Sequence, residues 1–287
     1  MIIRPAEKED TEAAVALLHG KMNSKLSPER WRGIFDYDWN MPKPNYGYVA
    51  EADGRIVGYL GAVHSQRMLP QGVLNLTNMC AWYVEKEYRG SAGLLMMVRA
   101  TADPDRHYTS MTSTSNPRTM AALSACGFAS LDDYRWDWQR RSAGSEVLDV
   151  ITDPADLMPH LQPHEARYMQ DLLPYGVRPV LMRHPEGESF AIFSVTQKGA
   201  DQPWWDVLYI RDAHEGFLTR FGQEIADALL PADNAVLSAD ARFCGGDPDD
   251  ATRIKLPAPR FVKSKSLNGP ELDHLYTELQ LLSLKLD

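Results

Sequence analysis

The segment most informative about the fold is Trp82-Tyr83-Val84-Glu85-Lys86-Glu87-Tyr88-Arg89-Gly90-Ser91-Ala92-Gly93-Leu94-Leu95. An apolar strand that ends at Val84 leads through a loop of small residues into an apolar helical run that begins at Leu94. The first amides of a helix have no partner within the helix and carry the positive end of its dipole. Small residues let a phosphate approach those amides, so the stretch predicts either an anion-binding loop or a tightly packed helix start.

Around this stretch the first half of the chain alternates strands and helices. A hairpin is predicted at Asp53-Gly54, because two β-rich runs flank a dipeptide that favours tight hairpin turns. A helix start is predicted at Ser27-Pro28, with Ser27 as N-cap and Pro28 in the first turn. The other predicted elements are strands over 1–5, 74–84, 107–114 and 132–139, and helices over 9–22 and 116–127.

The second half resembles the first in the order of its elements, although no sequence repeat is visible. Strands are predicted over 177–184, 189–198, 204–210 and 235–243, with a helix over 216–230 and a closing amphipathic helix over 271–284. The small polar run 141–147 is the best candidate for a linker. We therefore predict two domains in tandem, over residues 1–142 and 147–287.

Composition limits the class of protein. Of the 287 residues, 44% are hydrophobic and 24% are charged, which is the balance of a soluble globular chain. No run approaches the roughly 18 apolar residues of a membrane span, and the first residues lack the apolar core of a secretory signal. The three cysteines have no metal-ligand spacing and are interpreted as reduced thiols. We expect a cytoplasmic protein without a bound metal.

The net charge of −9 is unevenly distributed. Residues 1–143 hold 17 Lys and Arg against 16 Asp and Glu, whereas residues 144–287 hold 13 against 23. The second half would repel the phosphates of nucleic acid, so nucleic acid is not an expected partner. The first half can still bind a small anion through backbone amides and a few basic groups.

The stretch 82–95 resembles the acetyl-CoA-binding motif of the GCN5-related N-acetyltransferases, the GNAT family. In that family a strand ends in Val, an acidic residue and Tyr-Arg-Gly follow, and the loop reads Arg/Gln-x-x-Gly-x-Gly/Ala. Arg89 matches the first position of this loop. Ala92 stands where the family has Gly, and Leu94 stands where it has Gly or Ala, with Gly93 between them. Further matches in the family's order are the opening strand over 2–6, the hairpin around Gly54 and Gly58, and the run 116–128, which begins with Asn-Pro and ends with Gly-Phe.

The resemblance implies a fold and a cosubstrate. The fold is α/β: a mixed, mostly antiparallel sheet flanked by helices in about residues 1–140 and splayed after Val84, followed by a second α/β domain that is related to the first or a degenerate copy of it. The cosubstrate is acetyl-CoA or another acyl-CoA, whose thioester an amine attacks directly. The resemblance implies that the backbone amide near Val84 binds the thioester carbonyl. The cofactor-binding residues that it implies are Trp82, Val84, Arg89, Gly90, Ser91, Ala92, Gly93, Leu94 and Asn116.

The resemblance leaves the acid and the base open. The position of the family's usual Tyr acid is Leu123, and the strand over 78–83 contains no carboxylate. One catalytic candidate is His64. It is either a general base, because the ordinary pKa of histidine suits neutral pH, or a residue that faces solvent at a strand end. The other is Tyr83, which either donates a proton to the thiolate or the carbonyl, or is a core aromatic beside Trp82.

Three further features bear on function. Cys80 is either an acyl-enzyme nucleophile or a small buried hydrophobe. The joint over 209–216 corresponds to the anion loop, but Asp212 and Glu215 would repel an anion, so the second domain is not expected to bind CoA. Residues that either line an acceptor pocket or belong to ordinary core and rim are Trp204, Trp205, Asp240, Arg242, Tyr276 and Glu278.

Two classes of function fit these observations. The first is an acyl-CoA-dependent N-acyltransferase that acts on a small amine, such as an amino sugar, an amino acid or an antibiotic-like amine; O-acylation or a longer acyl donor stays open. The second is a non-catalytic acyl-CoA-binding or scaffold protein, which the lack of an evident acid and base favours. Neither class calls for a metal, nucleic acid or a membrane, and both a monomer and a homodimer fit the sequence.

Overall fold

The computed structural model describes residues 1–39, 41, 43–69, 72–112, 116–199, 201–267, 269 and 271–284. They form two compact units. The first contains Met1–Leu131, Arg260–Leu267 and Tyr276–Leu282, and the second contains Asp132–Pro259 with the described residues of 269–275 and 283–284. The chain therefore returns to the first unit after building most of the second. The predicted division into 1–142 and 147–287 does not anticipate this return.

Strands and helices alternate along the chain. The strands are β1 (Ile2–Pro5), β2 (Tyr48–Ala52), β3 (Arg55–Leu69), β4 (Gly72–Val84), β5 (His107–Met111), β6 (Ala129–Gln139), β7 (Asp149–Ile151), β8 (Arg178–His184), β9 (Gly187–Lys198), β10 (Gln202–Ile210), β11 (Val236–Asp240) and β12 (Thr252–Lys263). The helices are α1 (Thr11–Leu17), α2 (Pro28–Arg32), α3 (Arg89–Ala100), α4 (Pro117–Ala125), α5 (Pro154–Leu157), α6 (Pro163–Leu172), α7 (Phe217–Leu229) and α8 (Glu278–Leu281). Several short 3₁₀ turns and one π-helical turn, Leu18–Met22, adjoin them.

The sheet of the first unit is mostly antiparallel. Strands β1 to β4 pair in chain order as antiparallel neighbours, β4 pairs with β5 in parallel, and β5 pairs with the last residues of β12 in antiparallel fashion. The predicted hairpin turn is confirmed, since Asp53 and Gly54 both have positive φ angles, of 52° and 74°. The predicted helix start is confirmed as well, because Ser27 Oγ accepts a hydrogen bond from Arg30 N at the start of α2.

The second unit contains a sheet of the same mixed kind. Strand β6 pairs with β11 in antiparallel fashion, β11 with β10 in parallel, and β10 to β7 follow as antiparallel neighbours. Helix α7 buries Phe217, Leu218 and Ile225 in the core of this unit. Its Gly222 is required by close packing, since a Cβ atom there would lie 2.4 Å from the Trp138 ring. The mixed, mostly antiparallel α/β class predicted from the sequence is confirmed in both units.

The predicted closing helix over 271–284 is wrong. Only Glu278–Leu281 is helical in this run, and Tyr276 has a φ of 57°, which interrupts a helix. The buried residues of the run are Leu272, His274, Leu275, Tyr276, Thr277, Glu278, Leu279, Gln280, Leu281 and Leu282. An amphipathic helix would bury one face, so burial of consecutive residues shows that tertiary packing overrides the local periodicity.

Other expectations are met only in part. Strand β12 is not among the predicted elements, and it contains Pro257 and Pro259, whose nitrogens cannot donate to a ladder. Residues 113 and 114 of the predicted strand 107–114 lie outside the described residues.

The predicted linker is not a free connection, since Asp227 of α7 accepts hydrogen bonds from the backbone amides of Arg141 and Ser142. No helix in the described part of the chain has the length and hydrophobicity to span a bilayer.

Candidate functional site

Strands β4 and β5 run together for a short distance and then part. Residues 76–79 of β4 pair with residues 107–110 of β5, and Ser110 Oγ donates to the Met79 carbonyl at 3.1 Å in the last pair. Beyond this pair β5 ends at Met111, whereas β4 continues to Val84. Within the described ranges, β4 therefore has an open edge over residues 80–84, on the side away from β3. The predicted splay is present, but it begins after Met79 rather than after Val84.

The backbone of Val84 faces this open edge. Glu85 N donates to Val57 O of β3 at 2.8 Å, and Val84 stands opposite Gly58. Successive residues of an antiparallel pair direct their N–H and C=O groups to opposite sides of the strand. The Val84 N–H and C=O groups therefore point away from β3, toward the side that β5 has left. This is the orientation that an amide needs in order to meet a ligand at the open edge.

A β-bulge lies in the same part of β4. Tyr59 pairs with Tyr83 and Gly61 pairs with Cys80, so Ala81 and Trp82 together oppose a single residue of β3. Ala81 has a φ of 47°, in the left-handed region that residues with side chains rarely occupy. Bulges bend a strand and redirect its side chains, and they are frequent beside active sites.

Helix α3 begins at Arg89, five residues before the predicted start at Leu94. Arg89 Nε donates to Val84 O at 2.9 Å, and its guanidinium lies 5.6 Å from the centre of the Tyr83 ring. The side chain thus ties the first turn of α3 to the open edge of β4. Gly90 departs from helical geometry, with φ −3° and ψ −117°, and a Cβ atom there would meet no protein atom within 4 Å.

The other small residues of the predicted loop have packing roles. Ala92 is fully buried in the core of the first unit. A Cβ atom on Gly93 would lie 3.4 Å from the Trp82 ring, which is an ordinary van der Waals contact, so only a side chain larger than that of alanine would press on this ring. Leu94 is 43% exposed, and the side chain of Ser91 lies outside the described part. Gly90 is therefore the loop glycine with open space in front of it.

Asn116 is placed at the start of α4, where its side chain caps the helix. Its Oδ1 atom accepts a hydrogen bond from Thr119 N at 3.3 Å, and its side chain is exposed. The helix ends before Gly127, which has a φ of 85°, as the sequence predicts. Leu123, at the position of the family's usual Tyr acid, is fully buried in the core of the first unit. The predicted contact of Asn116 with CoA remains a prediction.

His64 lies in the middle of β3 and is buried, not at a solvent-facing strand end. Its Nδ1 atom is 2.9 Å from Thr77 Oγ1, and its Nε2 atom is 3.1 Å from Asn45 O. A carbonyl accepts only, so Nε2 carries the proton and Nδ1 accepts from the Thr77 hydroxyl. Burial, with the nearby Arg106 and Lys43 charges, lowers the pKa of His64 to about 4. This geometry does not favour the predicted role as a general base.

Tyr83 and Cys80 lie on the open part of β4. Tyr83 is partly buried, stands opposite Tyr59 in the register of β3 and β4, and has the Arg89 guanidinium 5.6 Å from its ring centre; its role as a proton donor remains a prediction. Cys80 is buried, and burial raises the pKa of its thiol well above the ordinary value. A thiol that resists ionisation is a poor nucleophile, which favours the interpretation as a small buried hydrophobe.

In the second unit, the joint between strand and helix lies at the predicted position, over residues 209–216, and contacts within the protein hold it. Arg211 pairs with the fully buried Glu165 at 2.5 Å. Helix α7 starts at Phe217 after Gly216, and a Cβ atom on Gly245 would lie 2.6 Å from Ala213 O. Close backbone packing therefore occupies this side of the joint. That the joint does not bind CoA stays a prediction.

The residues that the sequence offers either for an acceptor pocket or for the core do not lie together, and the structure places them in several separate sites. Asp240 and Arg242 belong to a buried ionic network of the second unit, in which Arg242 Nη1 lies 3.0 Å from Asp240 Oδ2 and also binds Asp132, and His274 Nε2 lies 2.7 Å from Asp240 Oδ2. Trp204 lines a cavity of about 340 Å³ in the same unit. Tyr276 and Glu278 belong to the first unit. The described residues include no group of three or more potential ligands suited to a metal ion.

Glu278, which the sequence offers either for an acceptor pocket or for ordinary core and rim, is a buried carboxylate of the first unit. It is 8% exposed, and its Oε2 atom has no hydrogen-bond partner among the described groups. Burial raises the pKa of Glu278 to about 7 despite a hydrogen bond from its own backbone N–H group and the opposing charge of Arg260. The amphipathic helix predicted over 271–284 gives no signal that this carboxylate would be buried.

Comparison with solved structures identifies the fold. A GCN5-related N-acetyltransferase from Anabaena variabilis aligns with 91% of this chain and 72% of its own, at 12% identity and a TM-score of 0.53. The chain has the GCN5-related N-acetyltransferase fold. A GCN5-related N-acetyltransferase from Kribbella flavida aligns with 91% of this chain and 70% of its own, at 14% identity and a TM-score of 0.53. A candidate acetyltransferase from Pyrococcus horikoshii aligns with 96% of this chain and 94% of its own, at 12% identity and a TM-score of 0.55.

These alignments extend over most of the GNAT-like chain, well beyond the first 140 residues in which its sequence motifs lie. No protein-family model and no curated protein sequence matches the chain.

Proposed function

We propose that this protein is an acyltransferase that moves an acyl group, acetyl in the simplest case, from acyl-CoA to the amine of a small molecule. The observation that carries the proposal is the open edge of β4, where the Val84 N–H group points outward beside the first turn of α3. An extended thioester arm would lie along this edge, and its pyrophosphate would meet the amides of the helix start.

The chemistry needs little more than placement and one well-aimed donor. The amine attacks the thioester carbon, a C–N bond forms, the C–S bond breaks, and the electron pair leaves on the CoA sulfur. Negative charge develops on the carbonyl oxygen during the attack, and the Val84 N–H group is oriented to stabilise it. Holding the two reactants side by side supplies much of the remaining rate enhancement.

The acceptor is proposed to be a small amine, and the acidic second half suits a cationic one. The reaction would take place in the cytoplasm, where the three buried free cysteines remain reduced. Turnover needs no metal in this proposal, because the leaving thiolate is tolerable near neutral pH.

The test is release of CoA thiol from acetyl-CoA, measured with a thiol reagent across a panel of amino sugars, amino acids and antibiotic-like amines. Calorimetric titration with acetyl-CoA on the same preparation measures binding separately. Turnover with any amine supports the proposal, and product mass then distinguishes N- from O-acylation. Binding of acetyl-CoA without turnover on a broad panel supports the alternative of a non-catalytic acyl-CoA-binding protein. Absence of both binding and turnover contradicts both.

A further inference from the structure

Glu278 opens the short helix α8, and its carboxylate interacts with its own backbone N–H group but takes no part in the capping box. Thr277 Oγ1 accepts from Leu279 N at 3.3 Å, and Gln280 Oε1 accepts from Thr277 N at 2.8 Å. These two side chains form the capping box. The carboxylate is nevertheless buried, and its Oε2 atom has no hydrogen-bond partner among the described groups. Burying a carboxylate with an unused acceptor costs folding free energy, so this position is suited to a functional rather than a structural role.

The carboxylate is located at the fork between β4 and β5. It interacts electrostatically with Cys80 of β4 and with Arg260 of β12. Cys80 is the first residue of β4 beyond the last pair with β5, and Arg260 stands opposite Met111, the last residue of β5. Glu278 therefore lies near the point where the open edge of β4 begins. The Val84 amide lies at the other end of that open edge.

Burial, opposed by the positive charges around this segment, brings the pKa of Glu278 to about 7. Arg260 approaches from β12, the Arg67 guanidinium of β3 lies 4.8 Å from the centre of the Tyr276 ring, and Arg30 of α2 donates to Leu282 O. Burial outweighs the attraction of Arg260 and raises the pKa of Glu278 to about 7. A carboxylate with such a pKa accepts a proton more strongly than an ordinary surface glutamate, and it is still ionised often enough to do so.

We propose that Glu278 accepts the proton of the acceptor amine, an assignment that rests on the proposed function. The amine arrives as an ammonium ion and transfers one proton to the Glu278 carboxylate, which frees the nitrogen lone pair. The nitrogen forms the C–N bond at the thioester carbon, and the C–S bond breaks with its electron pair on sulfur. The second nitrogen proton goes to that sulfur, giving an amide and CoA thiol. Glu278 then releases its proton to solvent.

The experiment compares the parent with Glu278→Gln, which keeps the shape of the side chain and removes the titration. Glu271→Gln is the matched control, because Glu271 is an exposed glutamate a few residues earlier. Each protein is assayed by thiol release from acetyl-CoA over a range of pH, with the best primary amine of the panel and with hydroxylamine. Hydroxylamine is uncharged near neutral pH and needs no proton removal before attack. Acetyl-CoA binding is measured by calorimetry.

The parent and Glu271→Gln should show kcat/KM for the primary amine rising with pH through an apparent pKa near 7. Glu278→Gln should bind acetyl-CoA as the parent does, lose that pH dependence, and lose about 10²–10⁴-fold in kcat/KM for the primary amine near neutral pH. Its loss with hydroxylamine should be much smaller. Glu278→Asp keeps the proton acceptor but moves it, and should retain the pH dependence at an intermediate rate.

Each contrary outcome is distinct. If the parent and Glu278→Gln turn over the primary amine alike, the assignment of Glu278 is overturned and the proposed function stands. Equal losses with the primary amine and hydroxylamine would show a structural role and overturn the assignment as well. If the parent binds acetyl-CoA but acylates no amine, both proposals are overturned. Should Glu278→Gln fail to fold, Glu278→Asp decides, because loss of the rise with pH in that variant contradicts the assignment.

Discussion

Burial acts on two titratable side chains of the first unit in opposite directions. It lowers the pKa of His64 to about 4 and raises that of Glu278 to about 7, because in both cases it disfavours the charged form. At neutral pH the histidine is uncharged, with both ring nitrogens hydrogen bonded, while the glutamate is near its midpoint. Residue type alone favours His64 as the base. Burial, which the sequence does not show, reverses that preference.

His64 should therefore matter for stability in acid rather than for turnover. Between about pH 6.5 and pH 4 the unfolded chain binds a proton at His64 that the folded protein does not, so stability falls as pH falls through this window. The full shift corresponds to about 3 kcal/mol. Glutamine can donate to Asn45 and accept from Thr77 without titrating. His64→Gln should thus flatten the pH dependence of the unfolding free energy, measured by urea denaturation at several pH values.

The same variant tests catalysis. Its kcat/KM for the best amine near neutral pH should stay within about threefold of the parent, since general-base catalysis is typically worth at least about 10²-fold. A folded His64→Gln protein that loses 10²-fold or more would restore His64 as the base.

At the level of elements, the joint between β4 and α3 carries the proposed cosubstrate site, and Gly90 is its sharpest probe. A side chain at Gly90 would enter space that holds no protein atom within 4 Å, where the pyrophosphate is proposed to lie. Gly90→Val should therefore weaken acetyl-CoA binding by at least about tenfold, or about 1.4 kcal/mol, and Gly90→Ala by less. Arg89→Ala should cost less than Gly90→Val, and its effect should shrink with added salt because the charge is exposed. Calorimetry measures the affinities.

Gly93→Val is the packing control for this series. Its side chain would press on the Trp82 ring, so it should lower the melting temperature as well as the affinity. Gly90→Val should leave the melting temperature closer to that of the parent. If folded Gly90→Val binds acetyl-CoA like the parent, the joint is a packing turn and the acyl-CoA site lies elsewhere.

The elements that could be predicted are those with a local signal. Asp53-Gly54 specifies its own turn, and the glycine-containing loop after Val84 specifies a strand-to-helix joint. Strand β12 and the run 271–284 could not be predicted, because their conformations depend on distant partners. Phe261 of β12 pairs with Ser110, and His274 N donates to Leu208 O. The candidate site divides in the same way: Val84 and Arg89 follow from the motif, whereas Glu278 depends on burial far along the chain.

Over the whole molecule, the first unit is built from three separate stretches of chain. Residues 260–263 of β12 form the strand beside β5, and Phe261 is buried in the core of the first unit. Lys263 Nζ donates to Thr101 O at 3.0 Å. The segment Tyr276–Leu282 adds the buried side chains of Leu279, Leu281 and Leu282. A boundary drawn from composition at residues 141–147 cannot reveal such a return, because nothing in the local sequence marks it.

This arrangement predicts that residues 1–142 do not form an independent domain. The fragment would expose the edge of β5 that β12 covers and would lose several apolar side chains worth about 1.5–3 kcal/mol each. Because a domain has only about 5–15 kcal/mol of stability in total, the fragment should not unfold cooperatively or bind acetyl-CoA. Urea denaturation and calorimetry of the fragment check this. The control is the same fragment expressed together with residues 143–287, which should recover both properties. A fragment 1–142 that unfolds cooperatively and binds acetyl-CoA like the full chain would show that the acyl-CoA domain ends where the sequence places it.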